Sequence, residues 1–265
     1  MDNNIILGCD VSTKCIGICL LEDDGSEYGK ILELTHVNPK IPRKTKDSEK
    51  LFLKKRIFKE FIKKYKNIGI KDVVIEEPLM GSNNINTVST LLRFNGMISD
   101  CIYEELGVVP TYISSYEARK YSFPSLMAIR KYGKDGNQYD CKKILKEIKD
   151  CKLVLFGSYP WAIDKKIIMQ EKVSEIFPSI KWIYDKKGEL KKENFDAVDS
   201  YVCILGFLNK NRNGELKFSS EIIGEANDGN GTREIDYNIK YWDKIEKRKT
   251  FINTAEISQE QKSET

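Results

Sequence analysis

Asn4-Ile5-Ile6-Leu7-Gly8-Cys9-Asp10-Val11-Ser12-Thr13-Lys14-Cys15-Ile16-Gly17-Ile18-Cys19-Leu20-Leu21 reads as two short buried strands joined by a tight polar turn. Ile5 to Val11 is nearly all apolar and carries one carboxylate, Asp10. A continuous apolar run of this kind, bounded by turn residues, suits a central strand covered on both faces. An aspartate at the end of such a strand is costly unless its charge is paired or bound to metal. Asp10 is therefore the first candidate functional residue. Taken alone it also fits a turn or cap ahead of Ser12 and Thr13.

The chain around this stretch has 265 residues, enough for one large domain with a sizeable core or one domain with insertions. Its net charge of +4 is modest, but basic residues dominate from Lys40 to Lys66, which concentrates positive charge locally. No run approaches a membrane span, and Met1-Asp2-Asn3-Asn4 does not open a secretory signal. The seven cysteines are an odd number at irregular spacing, several inside apolar runs. Free thiols in a reducing cytosol are expected. The single histidine, His36, argues against a histidine-based metal site or a serine–histidine triad and is expected at a strand end.

A third strand is expected over 28–37, after the turn Asp23-Asp24-Gly25-Ser26, making an antiparallel meander. A basic linker with Pro39 and Pro42 leads to an amphipathic helix over 47–65. There Leu51, Phe58, Phe61, Ile62 and Tyr65 face inward, and Lys50, Lys54, Lys55, Lys59, Lys63 and Lys64 face outward. That basic face is either ordinary solvated surface or a phosphate-contacting one. Asp72-Val73-Val74-Ile75-Glu76-Glu77-Pro78 is a fourth strand, stopped by proline. A long helix over 87–106 follows, with Val88, Leu91, Leu92, Asn95, Ile98, Ser99 and Ile102 inward. Its mid-helix Gly96 suggests close packing. A fifth strand over 108–114 and a short helix over 115–121 come next.

Residues 123–162 are expected to form an insertion or lid, with a loop at 133–137 and a basic helix over 141–149. A helix over 164–177, an extended piece at 182–184 and a charged loop over 186–192 precede a buried helix over 194–208. Asn194 is its expected N-cap. This helix is apolar over most of its surface yet carries Asp196 and Asp199, three residues apart and so on one face. Residues 209–265 form a C-terminal extension with a hairpin, a short aromatic helix at Tyr241-Trp242 and a disordered polar end over 257–265.

Asp10, Glu76 or Glu77, Asp196 and Asp199 each lie in or beside an apolar run. If the first and fourth strands are parallel neighbours and the last helix packs over them, these acids converge. Carboxylates that close raise one another's pKa values, and a divalent cation removes the conflict. Oxygen ligands without histidine favour Mg²⁺ or Mn²⁺ over zinc. Two such ions suit in-line attack of water on a phosphodiester, one activating the water and the other stabilising the leaving 3′ oxygen.

The order of three antiparallel strands, helix, strand, helix, strand and C-terminal helices, with acids on strands one and four and the last core helix, resembles the RNase H-like fold. Three motifs, Ile6-Leu7-Gly8-Cys9-Asp10-Val11-Ser12-Thr13-Lys14-Cys15-Ile16-Gly17, Val73-Val74-Ile75-Glu76-Glu77 and Asp196-Ala197-Val198-Asp199, resemble the RuvC family of Holliday junction resolvases, in a phage or viral-type member. The resemblance implies an α/β fold with a mixed five-stranded sheet flanked by helices. The nuclease domain would span 1–208, with the insertion at 123–162. It implies Asp10, Glu76, Asp196 and Asp199 as catalytic metal ligands for Mg²⁺, with Mn²⁺ as a substitute and two ions bound, and Glu77 beside them. It further implies a homodimer that cuts two symmetric strands of a four-way DNA junction and leaves 5′-phosphates. Lys165 would touch the DNA backbone, and Lys54, Lys55 and Lys59 are further candidate DNA contacts. Where family members carry an aromatic residue after the glutamate strand, this chain has Pro78-Leu79-Met80-Gly81.

Three alternatives share the same residues. A less selective endonuclease for branched DNA or RNA/DNA hybrids would use the same acids. A non-catalytic DNA-binding scaffold of the same fold would not need them. An actin-like ATPase or sugar kinase needs a duplicated domain and a second glycine-rich phosphate loop, and the chain is too short for both.

Overall fold

A computed structural model describes residues 4–78, 84–124, 165–216, 218–227, 232–242 and 244–253. The chain divides into two compact units, Met1–Ser122 with Lys166–Asn211, and Phe123–Lys165 with Arg212–Thr265.

In the first unit, β1 (Asn4–Val11), β2 (Ile16–Asp23) and β3 (Lys30–Val37) form an antiparallel meander. β4 (Ile70–Glu76) pairs parallel with β1, and β5 (Thr111–Ile113) pairs parallel with β4. The strand order β3-β2-β1-β4-β5 puts β1 at the centre, as its apolar sequence requires. Five helices accompany the sheet: α1 (Asp47–Ile62), α2 (Ile85–Leu106), α3 (Ser115–Ser122), α4 (Lys165–Ile176) and α5 (Lys192–Asn213). This is the mixed, helix-flanked sheet of the RNase H-like fold.

Alternation along β1 splits its side chains between two environments. Leu7, Cys9 and Val11 join Ile18, Val73 and Ile75 in a core with Phe58, Ile62 and Tyr65 below α1 and Phe94, Ile98 and Ile102 of α2. Burying each large apolar side chain contributes roughly 1.5–3 kcal/mol. The opposite face carries Gly8, and Gly17 from β2, where α5 comes down onto the sheet. A Cβ on Gly8 would lie 2.2 Å from the Ser200 carbonyl oxygen, and one on Gly17 would lie 1.9 Å from that of Asp196. Only glycine lets the helix backbone approach this closely.

Several expectations are corrected. Gly96 faces open space, with nothing within 4 Å of where an alanine methyl would stand, so close packing is not its reason. Leu92 is 40% exposed, and the inward row of α2 runs instead through the unanticipated Phe94 and Cys101. Helix α5 starts two residues early, so Asn194 is not its cap. Its amide instead takes the Ile183 N–H at 3.0 Å and donates to the Ile183 carbonyl at 2.7 Å. β5 is shorter than expected because Pro110 lacks the N–H a ladder needs.

In the second unit, β6 (Phe218–Asn227), β7 (Thr232–Tyr241) and β8 (Lys244–Asn253) form a three-stranded antiparallel sheet. Tyr241-Trp242 is a strand end and turn, with Trp242 at φ 47°, not a helix. Residues 125–162, including the expected loop at 133–137 and helix at 141–149, lie outside the described residues, as do 257–265 and Leu79–Gly81. No helix among the described residues is long and apolar enough to cross a membrane. The described cysteines Cys9, Cys15, Cys19, Cys101 and Cys203 are free and buried.

Candidate metal centre

Asp10 is the penultimate residue of β1, and Glu76 ends β4. The parallel ladder pairs Cys9 with Ile75, so Asp10 and Glu76 stand abreast at the carboxyl edge of the sheet, on one face. Asp199 descends from α5 onto the same point. One carboxylate oxygen from each of Asp10, Glu76 and Asp199 lies within 4.8 Å of the others. The two glycines bring α5 low enough for this meeting, since the Asp196 and Ser200 carbonyls that rest on them flank Asp199.

The clustering shifts proton affinity. Burial raises the Asp10 carboxyl well above the usual range, with Glu76, Asp199 and Asp196 adding repulsion and Lys166 opposing it. Burial raises Glu76 to about 7, with Asp199 adding to it and Arg119 and Lys166 pulling it back. Among the described residues, two cations answer the negative charge. The Lys166 ammonium of α4 lies 3.0 Å from Asp199 and 3.3 Å from Asp196. The Arg119 guanidinium of α3 lies 3.7 Å from Asp199. These acids hold Lys166 in its charged form against its own burial.

Asp196 is not in the compact set of three. It sits one turn before Asp199, bonded to Lys166 and close enough to the Cys15 thiol to add to the upward push that burial gives that thiol's pKa. Glu77 is exposed, and its backbone N–H donates to the Ile113 carbonyl at 2.8 Å.

The expected DNA-facing lysines divide. Lys55 bonds Asp100 at 2.7 Å, and Lys59 bonds Glu104 at 3.0 Å and Glu105 at 3.1 Å, all acids of α2. The Lys54 ammonium donates to the Thr13 carbonyl in the turn after β1. The side chain of Lys165, first residue of α4, lies outside the described residues.

Lys166 and Arg119 were not singled out in the sequence. Lys166 adjoins Lys165, and its ion pairs with Asp196 and Asp199 depend on the helical phase of α4. Arg119 carried no signal, because α3 is a short polar helix whose place over the site is set by tertiary packing. A Cβ on Gly206 of α5 would lie 2.6 Å from the Ala118 carbonyl, a close approach that seats α3.

The donor set suits a hard divalent cation. It is all oxygen and all carboxylate, and it is too compact to be fully ionised without countercharge. Asp10, Glu76 and Asp199 would hold such an ion.

No family model matches the chain, and no curated protein matches it. Among solved structures, it is similar to Thermus thermophilus RuvC at 13% identity and TM-score 0.44, covering 78% of this chain and 95% of that one. It is similar to T. thermophilus RuvC in complex with a Holliday junction substrate at 11% identity and TM-score 0.48, covering 78% and 96%. It is also similar to the yeast mitochondrial Holliday junction resolvase Ydc2 at 13% identity and TM-score 0.42, covering 78% of each chain. The carboxylate geometry, rather than these likenesses, carries the functional conclusion.

Proposed function

We propose that the chain is a divalent-metal-dependent endonuclease for branched DNA, with the four-way junction as substrate, two Mg²⁺ ions as cofactors and a homodimer as the working unit. The observation that carries this is the convergence of Asp10, Glu76 and Asp199 oxygens within 4.8 Å at the carboxyl edge of a central strand pair. Asp10, Glu76 and Asp199 would hold Mg²⁺ or Mn²⁺ there, and the ion would supply activation of water and charge neutralisation for in-line hydrolysis of a phosphodiester, with the 3′ oxygen leaving and a 5′-phosphate as product.

The protein's own side chains set up that chemistry. Asp10 and Glu76 are fixed by the strand ladder, so their oxygens need no reorganisation to act as ligands. Asp199 comes from a buried helix and is oriented by Arg119. Asp196 extends the acidic row and shares Lys166 with Asp199. Lys166 is positioned to meet the negative charge of an incoming phosphate. Lys54 and Lys165 are proposed backbone contacts, whereas Lys55 and Lys59 reach DNA only by exchanging their α2 carboxylates.

The test is incubation of the protein with labelled four-way junction, Y-flap, RNA/DNA hybrid and linear duplex, with Mg²⁺ or with chelator. Metal-dependent paired cuts in the junction are expected. Equal cutting of flap or hybrid would reassign the substrate. Metal-independent binding without any cutting would make the protein a scaffold and overturn the enzyme assignment.

A further inference from the structure

Beside the metal centre, the turn between β1 and β2 and the first turns of α2 enclose a cleft of about 420 Å³. We propose that this cleft holds a phosphodiester linkage of the cut DNA strand, one or two linkages from the scissile one, with Lys14, Asn86 and Thr87 as its ligands. This assignment rests on the nuclease function proposed above.

Among the described residues the lining is Ser12 with Thr13, Lys14, Asn86, Thr87, Thr90 and Leu91, one cation and several neutral polar groups without a carboxylate. That is the reverse of the neighbouring metal centre and suits an acceptor-only anion. The turn is stiff. The Ser12 hydroxyl donates to the Cys15 carbonyl at 2.8 Å and accepts the Cys15 N–H at 3.0 Å, and Lys54 grips the Thr13 carbonyl.

Lys14 differs from the lysines of α1, of the turn after it and of α4 that hold carboxylates. Lys55, Lys59, Lys63, Lys64 and Lys166 all hold carboxylates. The exposed Lys14 ammonium has no such partner among the described residues. The same holds for the Asn86 amide and the Thr87 hydroxyl.

Helix α2 adds donors. Asn84 accepts the Thr87 N–H at 3.2 Å through its side chain and the Val88 N–H at 3.1 Å through its carbonyl. The N–H groups of Ile85 and Asn86 have no acceptor within the helix, and they lie at its positive end. Leu91 offers an apolar surface for the sugar.

Position gives the cleft its role. Ser12 is two residues beyond Asp10, a reach of at most about 7 Å of chain. DNA rises about 3.4 Å per nucleotide along each strand, so the Ser12 edge of the cleft lies within about two nucleotides of Asp10. Contacts to phosphate fix register without reading sequence, so Lys14 and its neighbours would set where the strand lies, not which bases it carries.

The test measures affinity for a four-way junction in Ca²⁺ in place of Mg²⁺. A single neutral methylphosphonate is placed in turn at the first and second linkages on either side of the mapped cut. At one of these positions the neutral linkage should weaken wild-type binding about tenfold, the size of a lost charge-assisted hydrogen bond. Lys14→Met should do the same, and the two together should cost no more than either alone. Lys14→Met should also lower the salt slope by about 1. Thr87→Val should show a smaller coupling at the same linkage.

Additive losses at every linkage, or full affinity in Lys14→Met, would overturn the assignment while leaving cleavage intact. A junction that is neither bound nor cut would remove the nuclease function itself. Inorganic phosphate titrated into DNA-free protein reads the other source of the same chemistry. A Lys14-dependent phosphate signal without coupling on DNA would make the cleft a free-anion site and also overturn the assignment.

Discussion

The two faces of the central sheet solve the same packing problem in opposite ways. Toward α1 and α2, β1 presents Leu7, Cys9 and Val11, and bulky apolar side chains keep helix and sheet apart. Charges on that side sit at the rim and are paired, Lys55 and Lys59 with the acids of α2. Toward α5, β1 presents Gly8 and Asp10, and helix backbone rests nearly on strand backbone. There the charges are inside, with Asp10, Glu76 and Asp199 drawn together at a cost that Lys166 and Arg119 offset. The difference shows that like charges are gathered on the face where helix backbone comes closest to strand backbone and fixes them in an array.

The largest way to break this contrast is at Asp10. Asp10→Asn should lower single-turnover cleavage by roughly a thousandfold, about 4 kcal/mol of transition-state stabilisation. DNA affinity should be retained or improved, because a negative charge near phosphate is lost. Next is the glycine floor. Gly17→Ala places a methyl against the Asp196 carbonyl and should cost about 3 kcal/mol, a fall in Tm of roughly 10 °C. Gly96→Ala, on an open helix surface, should instead stabilise by about 0.5–1 kcal/mol.

pH sharpens the comparison further. Glu76 and Asp10 bind protons more tightly when folded than when unfolded. Their contribution is therefore fully present below the unfolded carboxyl range and is lost as pH rises through the folded value, about 7 for Glu76. In chelator, stability should fall by on the order of 2–3 kcal/mol between about pH 4.5 and 7, and Mg²⁺ should flatten that slope. Denaturant melts across this window with and without metal check it.

Lys166→Met should cost about 1 kcal/mol in chelator, since its exposed ammonium is partly screened, and added Mg²⁺ should restore the loss. The smallest effect is expected at the apolar face's rim. Lys59→Ala should leave DNA affinity within about twofold, because α2 acids already neutralise that charge, as a filter-binding comparison would show.

Much of this was legible in the sequence because it rests on local patterns. The apolar run of β1, the Val-Val-Ile run before Glu76 and the i, i+3 spacing of Asp196 and Asp199 each mark an element and its acid. Convergence of Asp10 with Glu76 follows from strands one and four being parallel neighbours. What escaped depends on packing between elements. That Lys166 meets the acids is a matter of helix phase, and Arg119 arrives only because α3 sits on Gly206. The α1 lysines looked like a free basic face, since nothing in their own segment reveals that α2 brings acids to them. Gly8 and Gly17 stood in plain view, but their reason lies in α5, far along the chain.

The central claim is that Asp10, Glu76 and Asp199 together hold the first of the two proposed divalent ions. Anomalous diffraction from crystals grown with Mn²⁺ tests this directly. The expected result is a manganese peak at about 2.1–2.2 Å from oxygens of Asp10, Glu76 and Asp199, with Lys166 withdrawn from Asp199. A saturated crystal in which Lys166 still bridges Asp196 and Asp199 and manganese lies elsewhere would contradict it.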